Sequence, residues 1–284
     1  MPLSPRAAAA TATILWGFTY ILTTTMLPPN PMFLAAVRAL GGGVILLFLA
    51  RDVPPRAWWG KLTVLGTLNN GLFFGLLFVA AVRLPGGVAA TFQALTPLFT
   101  VLLALPLLGV APSRVKLIAV LAGAVGVSMV VLRGGAGLDA IGILAAFGSA
   151  VSLSLGGILL HKWGRPSSVV SLTAWQMLIA GVELAIVAVI MGDVPTSLSA
   201  TNVLGLVILA VLLTAVPFVL WFTGIQGAGP SAIAPFMLLT PIVAFVLDAL
   251  VHRVLPSPLQ ALGVVVVIGA LLLGQFADRK PAKG

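Results

Sequence analysis

Residues 201–225 read TNVLGLVILAVLLTAVPFVLWFTGI, a stretch without one charge. Similar runs recur at 7–26, 31–50, 58–82, 86–108, 114–132, 138–160, 167–191, 229–251 and 258–277. About 20 apolar residues in a helix cross the hydrocarbon core of a bilayer. At that depth every backbone N–H and C=O must be paired within the protein, which leaves helices or closed barrels. Barrel strands alternate apolar and polar residues, and these runs are continuous. The chain therefore reads as an all-α membrane protein of ten transmembrane helices joined by short gaps such as LPGG at 84–87. Composition agrees: 284 residues hold 15 Lys or Arg and six Asp or Glu, whereas a soluble domain is about a quarter charged.

The net charge of +9 lies in the gaps. It reads as orientation signals and lipid-headgroup contacts, not as a nucleic-acid surface. With a cytoplasmic N-terminus, the inner side holds eleven basic residues: Arg6, Arg51, Arg56, Lys61, Arg114, Lys116, Lys162, Arg165, Arg279, Lys280 and Lys283. The outer side holds three, Arg83, Arg133 and Arg253. This bias predicts both termini inside. Trp58, Trp59 and Trp163 fall at inner span ends, where aromatic belts are expected. MPLSPR before an apolar run imitates a signal peptide, but TTTMLPPNP after that run has no A-x-A cleavage site, so the run is read as the first span. The chain has no cysteine, which excludes disulfides and Cys-based metal sites.

FQALTP ends at Pro97, and FMLLTP ends 144 residues later at Pro241. The same offset pairs Phe74 with Phe218, Phe78 with Phe222 and Pro112-Ser113 with Pro256-Ser257. An offset of 138 pairs Arg38 with Gln176 and Gly43 with Gly181. The expectation is two repeats, 1–134 and 135–284, each of five spans. Five is odd, so the second repeat enters the membrane from the opposite side, an architecture of transporters. Each proline removes a helix hydrogen bond, freeing the carbonyl of Gln93 or Met237. Two readings stay open. The freed groups line a cavity, or the hydroxyls of Thr96 and Thr240 satisfy local carbonyls.

Several segments carry a family resemblance: ILWGFTY at 14–20, the Arg of MFLAAVRAL at 32–40, the LTPLF and LTPIV cores, and the glycine-bearing LAGAVGV at 121–127 and LGVVVVIGALLL at 262–273. Together they resemble the two EamA-type repeats of the drug/metabolite transporter superfamily, over roughly residues 7–276. The resemblance implies ten helices, alternating access and export of amino acids or related metabolites across the cell inner membrane of a bacterium. The aromatic amino-acid exporters of the YddG type are one similar subgroup. Many relatives carry Gly-Glu at the end of the fourth span of each repeat; this chain has Leu108-Gly109-Val110 and Val251-His252-Arg253, so no role of that Glu carries over.

Arg38 sits seven residues into its span, about 10 Å deep. Glu183 lies at similar depth from the same face. A charge there faces a partner or a wet cavity: Arg38 either receives a substrate carboxylate or is a strut paired with Glu183 or backbone carbonyls. Glu183 is also the candidate coupling acid. Asp248 and His252, four apart, read as sharing a helix face near the outer surface, with a proton relay as the rival reading. Trp16, Tyr20, Trp175, Gln176 and Trp221, with Phe78 and the amides Asn69 and Asn70, suit a small amphipathic ligand or interhelical packing. The expected site adds Gln93, Thr96, Met237 and Thr240 beside the kinks at Pro97 and Pro241. GAGLDA at 135–140 mimics a dinucleotide fingerprint, but no strand precedes it and it falls in an outer loop; SRVK at 113–116 mimics a serine-lysine pair, but it opens a membrane span and lacks partner motifs. No cofactor, metal or nucleic acid is expected. The function read is secondary export of small amphipathic solutes, amino acids first; a membrane-embedded enzyme or a passive channel is the alternative.

Overall fold

The computed structural model describes residues 3–50, 52–131, 139–228, 233–253 and 255–276. Every regular element among them is helical. The rods are α1 (Pro5–Thr25), α2 (Pro31–Leu49), α3 (Arg56–Ala81), α4 (Gly86–Leu108), α5 (Arg114–Val131), α6 (Ala140–Trp163), α7 (Val169–Ile190), α8 (Ala200–Ala228), α9 (Phe236–His252) and α10 (Pro258–Phe276). Seven of the described rods, α1 to α4 and α6 to α8, are long and apolar enough to cross a membrane. The other three are further apolar helices. The outer surface is as oily as the interior: Phe48 is 85% and Ile190 79% exposed. Such side chains belong against lipid, and the chain is a multi-span helical membrane protein.

Local chemistry sets the helix ends. Ser4, Asp139, Ser168 and Ser199 each accept a backbone N–H of the first turn, and Pro5 and Pro31 begin their helices. The start of α2 is capped from afar, by Asp193 accepting the Met32 N–H at 2.6 Å. α4 and α9 both stop on a left-handed residue, Gly109 (φ 68°) and Arg253 (φ 57°).

Packing between rods comes in matched pairs. α2 lies on α7, α5 on α10 and α4 on α9. α1 packs on α8 and α9, while α6 packs on α3 and α4. At the α2–α7 crossing, a methyl on Gly43 would lie 3.1 Å from the Leu178 backbone nitrogen, and one on Gly181 would lie 2.9 Å from that of Leu40. The contact is reciprocal, as across a two-fold axis. Both glycines were paired by the 138-residue offset, and so are Leu40 and Leu178.

Two features interrupt the rods in register. α3 contains a π-turn at Thr67–Leu72 and α8 one at Val211–Ala215, and their first residues are 144 apart. Such turns displace a carbonyl from the helix ladder and recur at functional sites. α4 breaks at Leu95, just before Thr96-Pro97, and a 3-10 turn, Ala234–Leu238, leads into α9 before Thr240-Pro241.

Candidate functional site

Polar side chains buried among these rods gather at the π-turns. Arg38 is 4% exposed and donates from Nη2 to the Leu213 carbonyl, inside the π-turn of α8, at 3.3 Å. Its guanidinium carbon lies 4.6 Å from the Phe74 ring centre and 5.9 Å from that of Phe78. Nε and Nη1 are buried without a partner. Tyr20, itself buried, lies within electrostatic reach of this charge. The repeat supplies a counterpart. Gln176, which matches Arg38, accepts from Asn69 Nδ2 at 2.8 Å, inside the π-turn of α3, and Asn69 matches Leu213 at the 144-residue offset. Each half thus sends one polar side chain into the π-turn of the other.

The strut reading of Arg38 survives in half. It holds a backbone carbonyl and not Glu183, whose carboxylate takes the Thr67 hydroxyl at 2.8 and 3.0 Å. Glu183 therefore ties α7 to the π-turn of α3. Ser152 adds a second tie there, donating to the Leu68 carbonyl at 2.8 Å. Asn70 in the same turn is buried, while Asn69 lies against Gly156 of α6.

The two Thr-Pro kinks differ. Thr96 Oγ1 donates to the Gln93 carbonyl at 2.7 Å, satisfying locally the group that Pro97 frees. Thr240 Oγ1 instead reaches the Thr13 carbonyl of α1 at 3.0 Å. The Thr96 carbonyl in turn receives Ser154 of α6 at 2.8 Å. Each kink is thereby joined to the first helix of the opposite half. The Gln93 amide donates to Ser149, and its oxygen Oε1 is buried without a partner. Met237 is half-buried next to the second kink.

The aromatics fall into two groups. Trp16, Phe218 and Trp221 cluster with ring centres 5.4 and 5.7 Å from Trp16. Trp175 belongs elsewhere: it meets Trp59 edge-on at 5.1 Å, so it joins the belt of Trp58, Trp59 and Trp163 and not the cluster of Trp16. Its indole N–H is buried and unpartnered. In the same belt Lys61 lies over Trp58 at 4.8 Å and Trp163 at 5.8 Å.

Asp248 and His252 open and close a π-turn, Asp248–His252, and of the two His252 is exposed and Asp248 is not. Asp248 is 5% exposed and accepts the Gly87 N–H at 2.7 Å, capping the start of α4. His252 is exposed and bonds Thr24 of α1 at 2.8 Å. Together they fasten the ends of α1 and α9 to the start of α4. A weaker counterpart joins Lys162 of α6 to the Leu107 carbonyl near the other end of α4 at 3.2 Å. The GAGLDA segment lies outside the described residues except for its last two; Asp139 serves as the α6 cap and pairs with Arg83 at 2.6 Å. Ser113 of SRVK accepts the Lys116 N–H, a helix start.

Sequence reasoning missed Ser149, Ser152 and Ser154, which run along α6 and serve Gln93, the Leu68 carbonyl and the Thr96 carbonyl. The signal was available: three hydroxyls in one span are polar groups that membrane helices use to join one another. Thr19, buried with an unpartnered hydroxyl, was also passed over.

Comparison with known proteins fits a multi-span helical transporter. Protein PecM of Dickeya dadantii (strain 3937) is 35% identical over 279 residues, covering 96% of this chain and 94% of that protein. The uncharacterized transporter YvbV of Bacillus subtilis (strain 168) is 27% identical, covering 92% and 88%. A solved crystal structure superposes with a TM-score of 0.69 over 99% of each chain at 19% identity, a likeness of fold. The sequence profile of the EamA-like transporter family matches twice, at 6–132 and 140–274. With nearly the whole length matched, and twice over, the chain belongs to the EamA-like transporter family.

Proposed function

We propose that the protein is a secondary transporter that exports amino acids or related small metabolites across the cytoplasmic membrane by alternating access. Its ten spans form two inverted five-helix repeats, 1–134 and 135–284, with both termini cytoplasmic. The two family matches, the matched helix pairs, the reciprocal glycine crossing and the π-turns in register all support this arrangement. The eleven-to-three distribution of basic residues supports the orientation. Two halves that interlock through equivalent contacts can exchange conformations, opening a central site first to one side and then to the other.

The observation that carries the reading is Arg38. A charge buried in a membrane helix is costly and marks a functional site. This one spends a single donor on a carbonyl, keeps two nitrogens unpartnered and lies where α2 meets the opposite half. It is the anchor for a substrate carboxylate, with Phe74 and Phe78 supporting the guanidinium and Tyr20 beside it. Glu183, bonded to a π-turn, is the proposed proton-coupling acid. The test is uptake by purified protein in proteoliposomes, using a panel of labelled amino acids and small carboxylates with and without an imposed proton gradient. Saturable, gradient-dependent flux is the expected result. Flux that rises linearly with concentration for every solute denotes a channel, and chemical conversion of a solute denotes an enzyme.

A further inference from the structure

We infer that the Arg38 site selects organic anions lacking an ammonium group, so that carboxylates and sulfonates are taken in preference to zwitterionic amino acids. This rests on the transporter reading and narrows its substrate class.

The argument is a charge balance. Five of the six acidic residues are described, and each is engaged away from Arg38. Asp52 holds Ser168, Asp139 holds Arg83, Glu183 holds Thr67, Asp193 holds the Met32 N–H and Asp248 holds the Gly87 N–H. The sixth, Asp278, follows α10 in sequence and lies outside the described residues. Among the described residues the single ion pair is Arg83–Asp139. The guanidinium of Arg38 is therefore a buried unit charge facing a carbonyl and two ring faces, with no carboxylate bonded to it among the described residues. A monoanion brings the enclosed charge to zero. A zwitterion leaves it at one, now carried on an ammonium that has lost its water and finds no acid. Burying an uncompensated charge is disfavoured by far more than a lost neutral hydrogen bond.

Donor geometry agrees. A guanidinium offers two edges, each with two parallel N–H groups, and Nη2 contributes one hydrogen to each. The Leu213 carbonyl takes one hydrogen of Nη2. The remaining Nη2 hydrogen, with that of Nε or Nη1, leaves one complete edge, and both of those nitrogens are unpartnered. An open edge fits two oxygens of a carboxylate or sulfonate. Phe74 stacked at 4.6 Å covers a face of the guanidinium, so a ligand approaches in its plane. The unpartnered acceptor Gln93 Oε1 is neutral; it suits a hydroxyl or amide N–H and does nothing to balance an ammonium charge.

The test uses the full chain in nanodiscs and four probes of one size: 3-phenylpropionate, 2-phenylethanesulfonate, L-phenylalanine and phenethylamine. Binding is read as ligand-dependent rise in unfolding temperature and as tryptophan fluorescence change. Binding avoids the passive leak of protonated acids through bilayers, and the sulfonate stays anionic throughout. Both anions are expected to bind the wild type about tenfold or more tightly than L-phenylalanine, with phenethylamine weakest. Arg38→Gln should remove that preference, and Arg38→Lys should keep part of it. Phenylalanine binding as tightly as the anions, binding of none of the four, or an anion preference that survives in folded Arg38→Gln overturns the inference. If Arg38→Gln does not fold, the wild-type order of the four probes still decides the charge rule. Saturable proteoliposome flux of L-phenylalanine without anion preference removes the charge rule and leaves the transporter reading standing. Lack of saturable flux for the wider solute panel is the separate failure of that reading.

Discussion

The α2–α7 crossing makes a quantitative demand on Gly181. An alanine methyl there would lie 2.6 Å from Leu40 Cγ and 2.9 Å from the Leu40 backbone nitrogen. Real Cβ contacts do not come so close, and backbone cannot rotate aside, so the helices must separate. Overpacking of this kind costs about 1–3 kcal/mol. Replacing a helical glycine by alanine returns about 1 kcal/mol of propensity, leaving Gly181→Ala destabilised by about 0–2 kcal/mol. At Gly43 the three nearest atoms all lie at 3.1 Å; the neighbours need yield only slightly, and Gly43→Ala should be nearly neutral. Gly157 of α6 has nothing within 4 Å, so Gly157→Ala should gain the propensity term alone. The predicted order of stability is Gly157→Ala above wild type, Gly43→Ala close to wild type and Gly181→Ala lowest. The extremes should differ by about 1–3 kcal/mol, or several degrees in unfolding temperature. Thermal unfolding of the purified variants followed by circular dichroism reads this directly. Gly181→Ala as stable as Gly157→Ala would refute the close crossing, and with it the reciprocal contact on which the two-fold arrangement leans.

Three further predictions follow from single contacts. Asp248→Ala removes the carboxylate that caps α4 at Gly87, a loss of about 1 kcal/mol. A cysteine at the buried Val88, in this cysteine-free chain, should then react several-fold faster with an impermeant thiol reagent from outside, and an unchanged rate would remove Asp248 from the outer closure. Glu183→Gln should leave binding intact and abolish the dependence of flux on a proton gradient; retained dependence takes the coupling role from Glu183. Asp52 is held below the usual carboxylate range by the Ser168 hydroxyl and then by the Ser168 N–H. Its contribution is full above pH about 4, the unfolded carboxylate value, and fades as pH falls through the lower folded value. The stability gap between wild type and Asp52→Asn should accordingly close on acidification, and a gap that persists below that range contradicts the assignment.

What the sequence disclosed was what a chain cannot vary without leaving the membrane. The apolar runs fixed the rods closely, with the 114–132 run appearing as Arg114–Val131. The 138-residue offset found Gly43 and Gly181, because close approach of two backbones tolerates no side chain there. Arg38 stood out because charge at that depth needs a reason. Other features depended on neighbours and were hidden. TLNNGL and VLLTA share no residue pattern, yet both wind into π-turns, held by Ser152 and Arg38 from other helices. Asp248 was read as a surface acid, and packing against the start of α4 buries it. Trp175 looked central by sequence, but the packing of α7 on α3 brings it to Trp59. Thr96 and Thr240 looked equivalent, and packing against α1 gave Thr240 a partner that Thr96 does not have.

Alternating access requires the outer ends of α1 and α9 to part in every cycle. Thr24 and His252 join them with a 2.8 Å hydrogen bond. Cysteines at these two positions, bridged by a short bifunctional methanethiosulfonate, hold the outer end shut. Proteoliposome flux should stop on bridging and return on reduction, while each single cysteine treated alike stays active. Full flux through protein that is quantitatively bridged would contradict the account.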